Sequence, residues 1–203
     1  MEFKINLKLY YAHPKWIYYT NDEEETIKLI KKILGKHVYI LNPRDYDEDP
    51  DFAKLKRTKG MDVCFKLIDQ TDCVIFQRFF ISEQFKNYIL EYLQNADEYG
   101  CYKSRLGVGL RDLPLKLQQL VTDKESLITP GVAEEVNYAL KSKKQVYEVL
   151  LTEKQLNIWK EKLQSDFQGP YDPLYQTLNL FLKAYRDNSP KRLFPPFWWL
   201  TQK

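Results

Sequence analysis

Strand-like and helix-like segments alternate over most of the first 150 residues of this 203-residue chain. Four short runs rich in aliphatic, β-branched and aromatic residues have the length and composition of buried strands. These runs are residues 5–12, 37–41, 73–76 and 145–150. Parallel strands need a crossover between them, which a helix usually supplies, so this order predicts a mainly parallel sheet with helices on both faces.

The first two crossover helices are predicted from apolar residues at helical spacing. Asn21 is the expected N-cap of the first helix, which ends at Gly35, and the second helix covers residues 61–71. Three consecutive glutamates that begin at Glu23 lie in the first turn of the first helix. Their expected role is to complement the positive end of the helix dipole.

The alternation breaks at about residue 80. Residues 80–128 contain helix-like stretches around a glycine-containing loop, and they are predicted to be a helical insertion in a domain of residues 1–150. Residues 151–203 are predicted to be a helical extension packed on the same domain. It would contain two helices separated at Gly169, followed by an aromatic tail.

The composition restricts the classes of protein to which the chain can belong. The 31 basic and 28 acidic residues give a formal charge of +3, which argues against a dedicated nucleic-acid or membrane protein. The three cysteines and two histidines lack the spacing of a disulfide scaffold or zinc site, so reduced thiols, no metal and no cofactor are expected. No apolar run reaches the ~20 residues of a membrane span and the charged start is unlike a signal peptide, so a cytoplasmic location is expected.

Residues 129–140, TPGVAEEVNYAL, are the most informative segment for chemistry. Thr129 can cap the first turn of a helix, and Gly131 allows another group to approach the backbone closely. At about 100° per residue, Glu135 borders the apolar stripe of this helix and Glu134 faces away from it. A carboxylate at the edge of a core and near a helix N-terminus can be ionised yet poorly hydrated, which suits a nucleophile. The alternative is the acidic first half of an ordinary surface helix.

Four further residues lie towards the ends of predicted strands, in the region where open α/β sheets bind ligands. Tyr10 and Tyr11 alternate faces, so one is expected in the core and the other at a ligand. His13 follows the first strand and either binds a base or sugar or has a structural role. Arg78 follows the third strand, where it either meets a phosphate or carboxylate or is solvated.

Three segments of the chain match one known family in order, spacing and strand-helix context. Residues 10–14, Tyr-Tyr-Ala-His-Pro, stand where that family has a strand ending in a Tyr-x-Ala-Gly-Pro-like turn, with His13 in place of the usual glycine. Residues 68–75 are similar to the segment that leads into its third strand, and residues 131–146 resemble the Gly-x-x-x-Glu-x-x-x-Ala signature around its nucleophile. In these places the chain resembles the nucleoside 2-deoxyribosyltransferase-like superfamily, including its poorly characterised branches.

The resemblance covers roughly residues 4–150 and implies an α/β domain with a mainly parallel, Rossmann-like or flavodoxin-like sheet. It implies that Glu135 attacks the anomeric carbon of a (deoxy)ribosyl donor while a second acid protonates the departing base. Active transferases of the family commonly carry an aspartate six positions before the glutamate, where this chain has Thr129.

Three aspartates could replace that acid, namely Asp62, Asp69 and Asp72. Asp62 is preferred. Asp72 lies between the end of a helix and the start of a strand, on the opposite edge of the sheet, where a structural role is expected.

The resemblance predicts an enzyme that transfers or hydrolyses the N-glycosidic bond of a nucleoside or nucleotide. Its site would contain Glu135 and Asp62 as catalytic residues, and Tyr10, Tyr11, His13, Arg78, Thr129 and Gly131 as substrate-binding residues. The alternative is a non-catalytic nucleotide-binding or sensory module with the same fold. A homodimer or larger assembly is expected, because members of the family generally complete their sites with residues from a second subunit.

Overall fold

The computed structural model describes residues 7–46, 60–98 and 113–187, and for residues 95–98 it describes the backbone only. The strands are β1 (Lys8–Ala12), β2 (Tyr39–Leu41), β3 (Cys73–Phe76), β4 (Phe79–Phe80), β5 (Ser126–Leu127), β6 (Gln145–Leu150) and β7 (Gln155–Trp159). The α-helices are α1 (Asn21–Leu34), α2 (Asp62–Asp69), α3 (Glu83–Glu98), α4 (Leu113–Asp123), α5 (Pro130–Lys141) and α6 (Pro173–Arg186). Short 3-10 helices cover Lys15–Ile17 and Pro43–Tyr46.

The central feature is a five-stranded sheet with the strand order β2-β1-β3-β6-β7. The first four of these strands are parallel, and β7 pairs antiparallel with β6. The chain leaves β1 on one side to form β2 and returns on the other side to form β3. In open α/β sheets such a switch point opens a crevice at the carboxyl ends of the strands, here those of β1 and β3. The predicted α/β fold, with its mainly parallel Rossmann-like sheet, is confirmed.

Helices cover both faces of the sheet, as predicted. One face packs against α1, and its buried strand residues are Leu9, Tyr11, Cys73, Ile75 and Val149. The other face packs against α2 and α5, and its buried strand residues are Tyr10, Ala12, Leu41, Val74, Phe76 and Val146. Because side chains alternate along each strand, neighbours in sequence belong to different faces. This alternation decides which candidate residues can meet.

The chain divides into two compact units, each built from two separate segments. The first unit contains Met1–Phe79 and Ile128–Asp166, and it includes the whole five-stranded sheet. The second contains Phe80–Leu127 and the chain from Phe167 onward. Within the second unit, aromatic side chains of α3 and α6 pack together, with the rings of Tyr92 and Phe181 5.0 Å apart.

Three details of the predicted secondary structure were wrong. The helix predicted just before Gly169 is absent, because β6 is followed by a four-residue connection and an antiparallel strand, β7. A short apolar run such as residues 155–159 forms a strand when a neighbouring strand offers backbone partners, which local sequence does not reveal.

The other two differences concern where elements begin. Helix α1 begins at Asn21 itself, with Thr20 as the N-cap residue and no side-chain cap, and the second strand begins at Tyr39. The aromatic tail and residues 5 and 6 of the first strand lie outside the described residues.

Candidate functional site

A hydrogen bond between the sheet and α5 defines the candidate site. The Tyr10 hydroxyl donates to the Glu135 carboxylate, with 2.7 Å between Oη and Oε1. Tyr10 is fully buried, and Glu135 is 6% exposed. Burial and the neighbouring Glu135 carboxylate raise the pKa of Tyr10 well above its usual value, so its phenol keeps the proton that it donates. A carboxylate is therefore held in a defined orientation on the inner face of α5.

The periodicity of α5 explains why Glu135 reaches this position. Val132, Val136 and Ala139 of the helix are buried against the sheet, and Glu135 lies at the flank of that stripe. Glu134 is exposed. The predicted contrast between the two adjacent glutamates is confirmed.

The segment that follows β7 ties α5 to the sheet. The Asn137 side-chain amide donates to the Leu163 carbonyl and accepts from the Leu163 N–H, both at 2.8 Å. Just before the helix, the Ile128 N–H donates to the Asp166 carboxylate at 2.7 Å, and the Asp166 N–H donates to the Ile128 carbonyl at 3.0 Å. These four bonds constrain the helix that carries Glu135.

The N-terminus of α5 differs in part from the prediction. Thr129 is the N-cap residue and its carbonyl accepts from the Ala133 N–H at 3.1 Å, but its side chain does not cap the helix. Within the described residues, no hydrogen bond involves the buried Thr129 hydroxyl. A Cβ added at Gly131 would meet no atom of the described residues within 4 Å, so no described group fills that position.

Arg78 lies on the same sheet face as Tyr10, because Val74, Phe76 and Arg78 alternate along β3 and its continuation. Its Nε donates to the Glu148 carboxylate, and its guanidinium carbon lies 5.8 Å from the centre of the Trp159 ring. Glu148 is 7% exposed, whereas the Arg78 side chain is 29% exposed. Arg78 is therefore held by β6 and β7, and of the two roles considered for it, this geometry does not fit a merely solvated side chain.

His13 is committed to a buried network on the α1 face. Its Nδ1 lies 2.9 Å from the Tyr11 carbonyl oxygen, and its Nε2 lies 3.0 Å from Glu23 Oε1. Both ring nitrogens therefore have an oxygen atom as their partner. The ring also stacks on Tyr11, with centroids 4.0 Å apart. Of the two roles considered for His13, this geometry favours the structural one.

Glu23 is the centre of this network, and its expected role as a simple dipole complement was wrong. Its carboxylate is fully buried and accepts from the Asn42 amide and from Arg44 Nη1, each at 2.8 Å, and from the Tyr19 N–H at 2.7 Å. Burial alone would raise its pKa, but the donors, led by His13, lower the pKa to about 2. The carboxylate thus joins the residues that follow β1 and β2 to the start of α1.

Tyr11 does not meet Glu135, because it faces α1. Its hydroxyl donates to the side-chain oxygen of Gln77, and burial raises its pKa. Of the two tyrosines, Tyr10 is the one that reaches the proposed nucleophile, although both are fully buried.

The candidate acids lie at two edges of the sheet. Asp62 is the exposed first residue of α2, which leads into β3, so it lies at the carboxyl edge. No contact between Asp62 and Glu135 is found in the described ranges. Asp69 accepts from the Tyr138 hydroxyl at 3.0 Å, and Asp72 accepts from the Lys8 N–H at 2.8 Å. This contact with the backbone of the first strand fits the structural role expected for Asp72.

Glu148 and Trp159 are site residues that were not predicted. Glu148 had a detectable signal, since a charged residue in the middle of a run that reads as a buried strand requires a partner. Trp159 had no such signal, because its position depends on the pairing of β7 with β6.

No group of three or more His, Cys, Asp or Glu side chains that could hold a metal ion is found in residues 7–46, 60–98 and 113–187.

Comparisons of the chain with known protein families, curated proteins and solved structures found no match. Every helix of the described part is too short or too polar to cross a membrane. Function must therefore be inferred from the side chains themselves.

Proposed function

We propose that the protein cleaves or transfers the N-glycosidic bond of a nucleoside or nucleotide, with Glu135 as the nucleophile. The observation that carries the proposal is the buried pair of Tyr10 and Glu135, joined at 2.7 Å on the face covered by α5. The resemblance of residues 131–146 to the deoxyribosyltransferase-like signature supports the same assignment. The crevice expected beside β1 and β3 gives a ligand a place to bind near this pair.

The chemistry follows from the charge that develops in glycosidic cleavage. As the bond between the anomeric carbon and the base nitrogen breaks, the sugar acquires oxocarbenium character, and a Glu135 oxygen bonds to that carbon. The electrons of the broken bond go to the base, which takes a proton from an acid, for which Asp62 is our proposed residue. Water or a second base then attacks the glycosyl ester and restores the carboxylate. Tyr10 restricts the orientation of the carboxylate during these steps.

A matched pair of adjacent variants tests the nucleophile. Purified wild-type protein, Glu135→Gln and Glu134→Gln are incubated with a panel of deoxynucleosides and their monophosphates, and the free base is measured by chromatography. Glu135→Gln should abolish base release with little change in melting temperature, because the amide keeps the shape but not the nucleophilic oxygen. Glu134→Gln should behave like wild type, because its side chain is exposed.

Two outcomes contradict the proposal in different ways. If active wild-type protein tolerates Glu135→Gln, the nucleophile is another group. If the wild type releases no base from any substrate, the alternative of a non-catalytic nucleotide-binding module takes precedence. Thr129 in the position of the family's aspartate favours that alternative, as does the lack of contact between Asp62 and Glu135 in the described residues.

A further inference from the structure

We propose that Arg78 binds the phosphate of a nucleoside 5′-monophosphate, and that Glu148 and Trp159 position its guanidinium for that contact. This inference deepens the proposed function and rests on it, because it makes the substrate a nucleotide rather than a nucleoside. It is based on a cluster of three side chains in the first unit.

The guanidinium of Arg78 is fixed on one edge and available on the other. Its Nε donates to the Glu148 carboxylate. Its Cζ atom lies over the Trp159 ring, 5.8 Å from the ring centre. The Trp159 ring is itself placed by an edge contact with Phe76, at 5.5 Å between centroids, and its indole N–H donates to the Glu161 carbonyl. Within the described residues, no second hydrogen-bond partner of Arg78 is found, so its two terminal nitrogens can donate to a ligand.

Such an arginine suits a phosphate better than a neutral ligand. Two parallel N–H groups match two oxygens of a phosphate, and the contact is stronger when the guanidinium is already oriented. The 29% exposure of the side chain leaves it accessible from solvent, whereas Glu148 beneath it is nearly buried. Glu148 is therefore a positioning residue and does not itself face the ligand.

The sheet register relates the strand positions of the residues that hold Glu135 and Arg78. Tyr10, which holds Glu135, pairs with Val74, and Glu148, which holds Arg78, pairs with Phe76 two residues further along β3. Two residues correspond to roughly 7 Å towards the carboxyl edge. Both groups also point to the same face. Because β3 lies between β1 and β6, the two positions are also separated by roughly 10 Å across the sheet. A nucleotide bound along this span would have its anomeric carbon near Glu135 and its 5′-phosphate towards Arg78.

Calorimetric binding to the full-length protein tests this without requiring turnover. The titrants are deoxyadenosine, its 5′-monophosphate and inorganic phosphate. Wild-type protein should bind the monophosphate roughly 10–100 times more tightly than the nucleoside, as expected for one charge-assisted contact. Arg78→Lys keeps a charge beside Glu148 but loses the paired donors, so the ratio of monophosphate affinity to nucleoside affinity should fall most of the way to one. Lys160→Gln, which removes an exposed charge next to Trp159, should keep the preference.

Glu148→Gln tests whether Glu148 orients Arg78 or only repels anions, because the two roles change the affinity for the monophosphate in opposite directions. If Glu148 orients Arg78, the variant should weaken monophosphate binding by a larger factor than nucleoside binding. If Glu148 only repels anions, the variant should tighten monophosphate binding, and that result would overturn the positioning role. Equal wild-type affinity for nucleoside and monophosphate, or an unchanged preference in Arg78→Lys, would overturn the phosphate site.

The outcomes also separate this inference from the proposed function. Phosphate-dependent binding without base release supports the Arg78 site and contradicts the enzyme. Base release from nucleosides and monophosphates with equal efficiency supports the enzyme and contradicts the Arg78 site. Inorganic phosphate that binds as tightly as the monophosphate indicates an anion site unrelated to nucleotides, and also contradicts the inference.

Discussion

At the scale of single residues, two buried glutamates differ in the hydrogen-bond donors that surround them. Glu23 accepts hydrogen bonds from His13, Asn42, Arg44 and a backbone N–H, so its charge is compensated by fixed cationic and polar groups. A carboxylate in such a network stabilises the fold and is poorly suited to attack a substrate. Glu135 accepts a hydrogen bond from the neutral Tyr10 phenol, on the sheet face that α5 covers.

The Glu23 network predicts a stability that depends on pH in the acid range. The folded pKa of Glu23, about 2, is below its usual value of 4.5. Its ionised form therefore stabilises the fold above about pH 4.5, and this contribution is lost as the pH falls from there towards 2. Glu23→Gln should lower the free energy of unfolding by about 3 kcal/mol at pH 7, because it removes a buried carboxylate charge that is paired with the Arg44 guanidinium.

Urea unfolding at pH 3, 5 and 7 measures this contribution. The difference between wild type and Glu23→Gln should be equal at pH 5 and 7 and smaller at pH 3. Glu24→Gln is the control, since the Glu24 side chain is 62% exposed and forms only a long ion pair with Lys28. A Glu23 effect that stays constant down to pH 3 would contradict the depressed pKa.

At the scale of elements, α5 carries the proposed nucleophile and the segment after β7 holds α5 in place. A helix packed by its apolar stripe alone can shift along the sheet, whereas reciprocal hydrogen bonds at Asn137 and Ile128 restrict that motion. The antiparallel edge strand therefore matters to the site for two reasons. It supplies Trp159 beneath Arg78, and it leads the chain back to the start of α5.

Asn137→Ala tests the contribution of this connection. It removes two side-chain hydrogen bonds to the backbone of Leu163, so we expect a loss of about 1–3 kcal/mol in the free energy of unfolding. Base release, if present, should also fall, since Glu135 is less well constrained. Asn157→Ala is a matched control in β7, where the asparagine is exposed. Equal effects of the two variants would show that the connection to Leu163 is not important.

At the scale of the whole molecule, both units are built from discontinuous segments. The chain leaves the first unit after Phe79, returns to it at Ile128 and leaves it again after Asp166. Residues of the candidate site come from both segments of the first unit, since Tyr10 and Arg78 precede the excursion and Glu135 and Glu148 follow it. The site therefore requires the complete first unit.

The expected quaternary structure is a homodimer or larger closed assembly. The reason is the resemblance to a family whose members generally complete their sites with residues of a second subunit. Multi-angle light scattering at micromolar concentration should give at least twice the chain mass of 24.4 kDa. A monomer under these conditions would contradict the expectation, and the first unit alone would then have to form the site.

Local pattern was sufficient to predict the parts of the fold that depend on short-range periodicity. The sequence by itself determined β3 and β6 to the residue, the amphipathic face of α5 and the contrast between Glu134 and Glu135. Each of these depends on apolar residues that recur with the period of a strand or a helix, and that period is a property of neighbouring residues.

Only the tertiary structure decided which distant side chains meet. Tyr10 and Glu135 are 125 residues apart in the chain, and Arg78 and Glu148 are 70 residues apart. The same is true of β7, which is a strand because β6 offers it backbone partners, and of His13, whose two nitrogens are occupied by Tyr11 and Glu23. Hydrogen bonds and ion pairs depend on positions in space, which strand order and register determine, and a local sequence pattern contains neither.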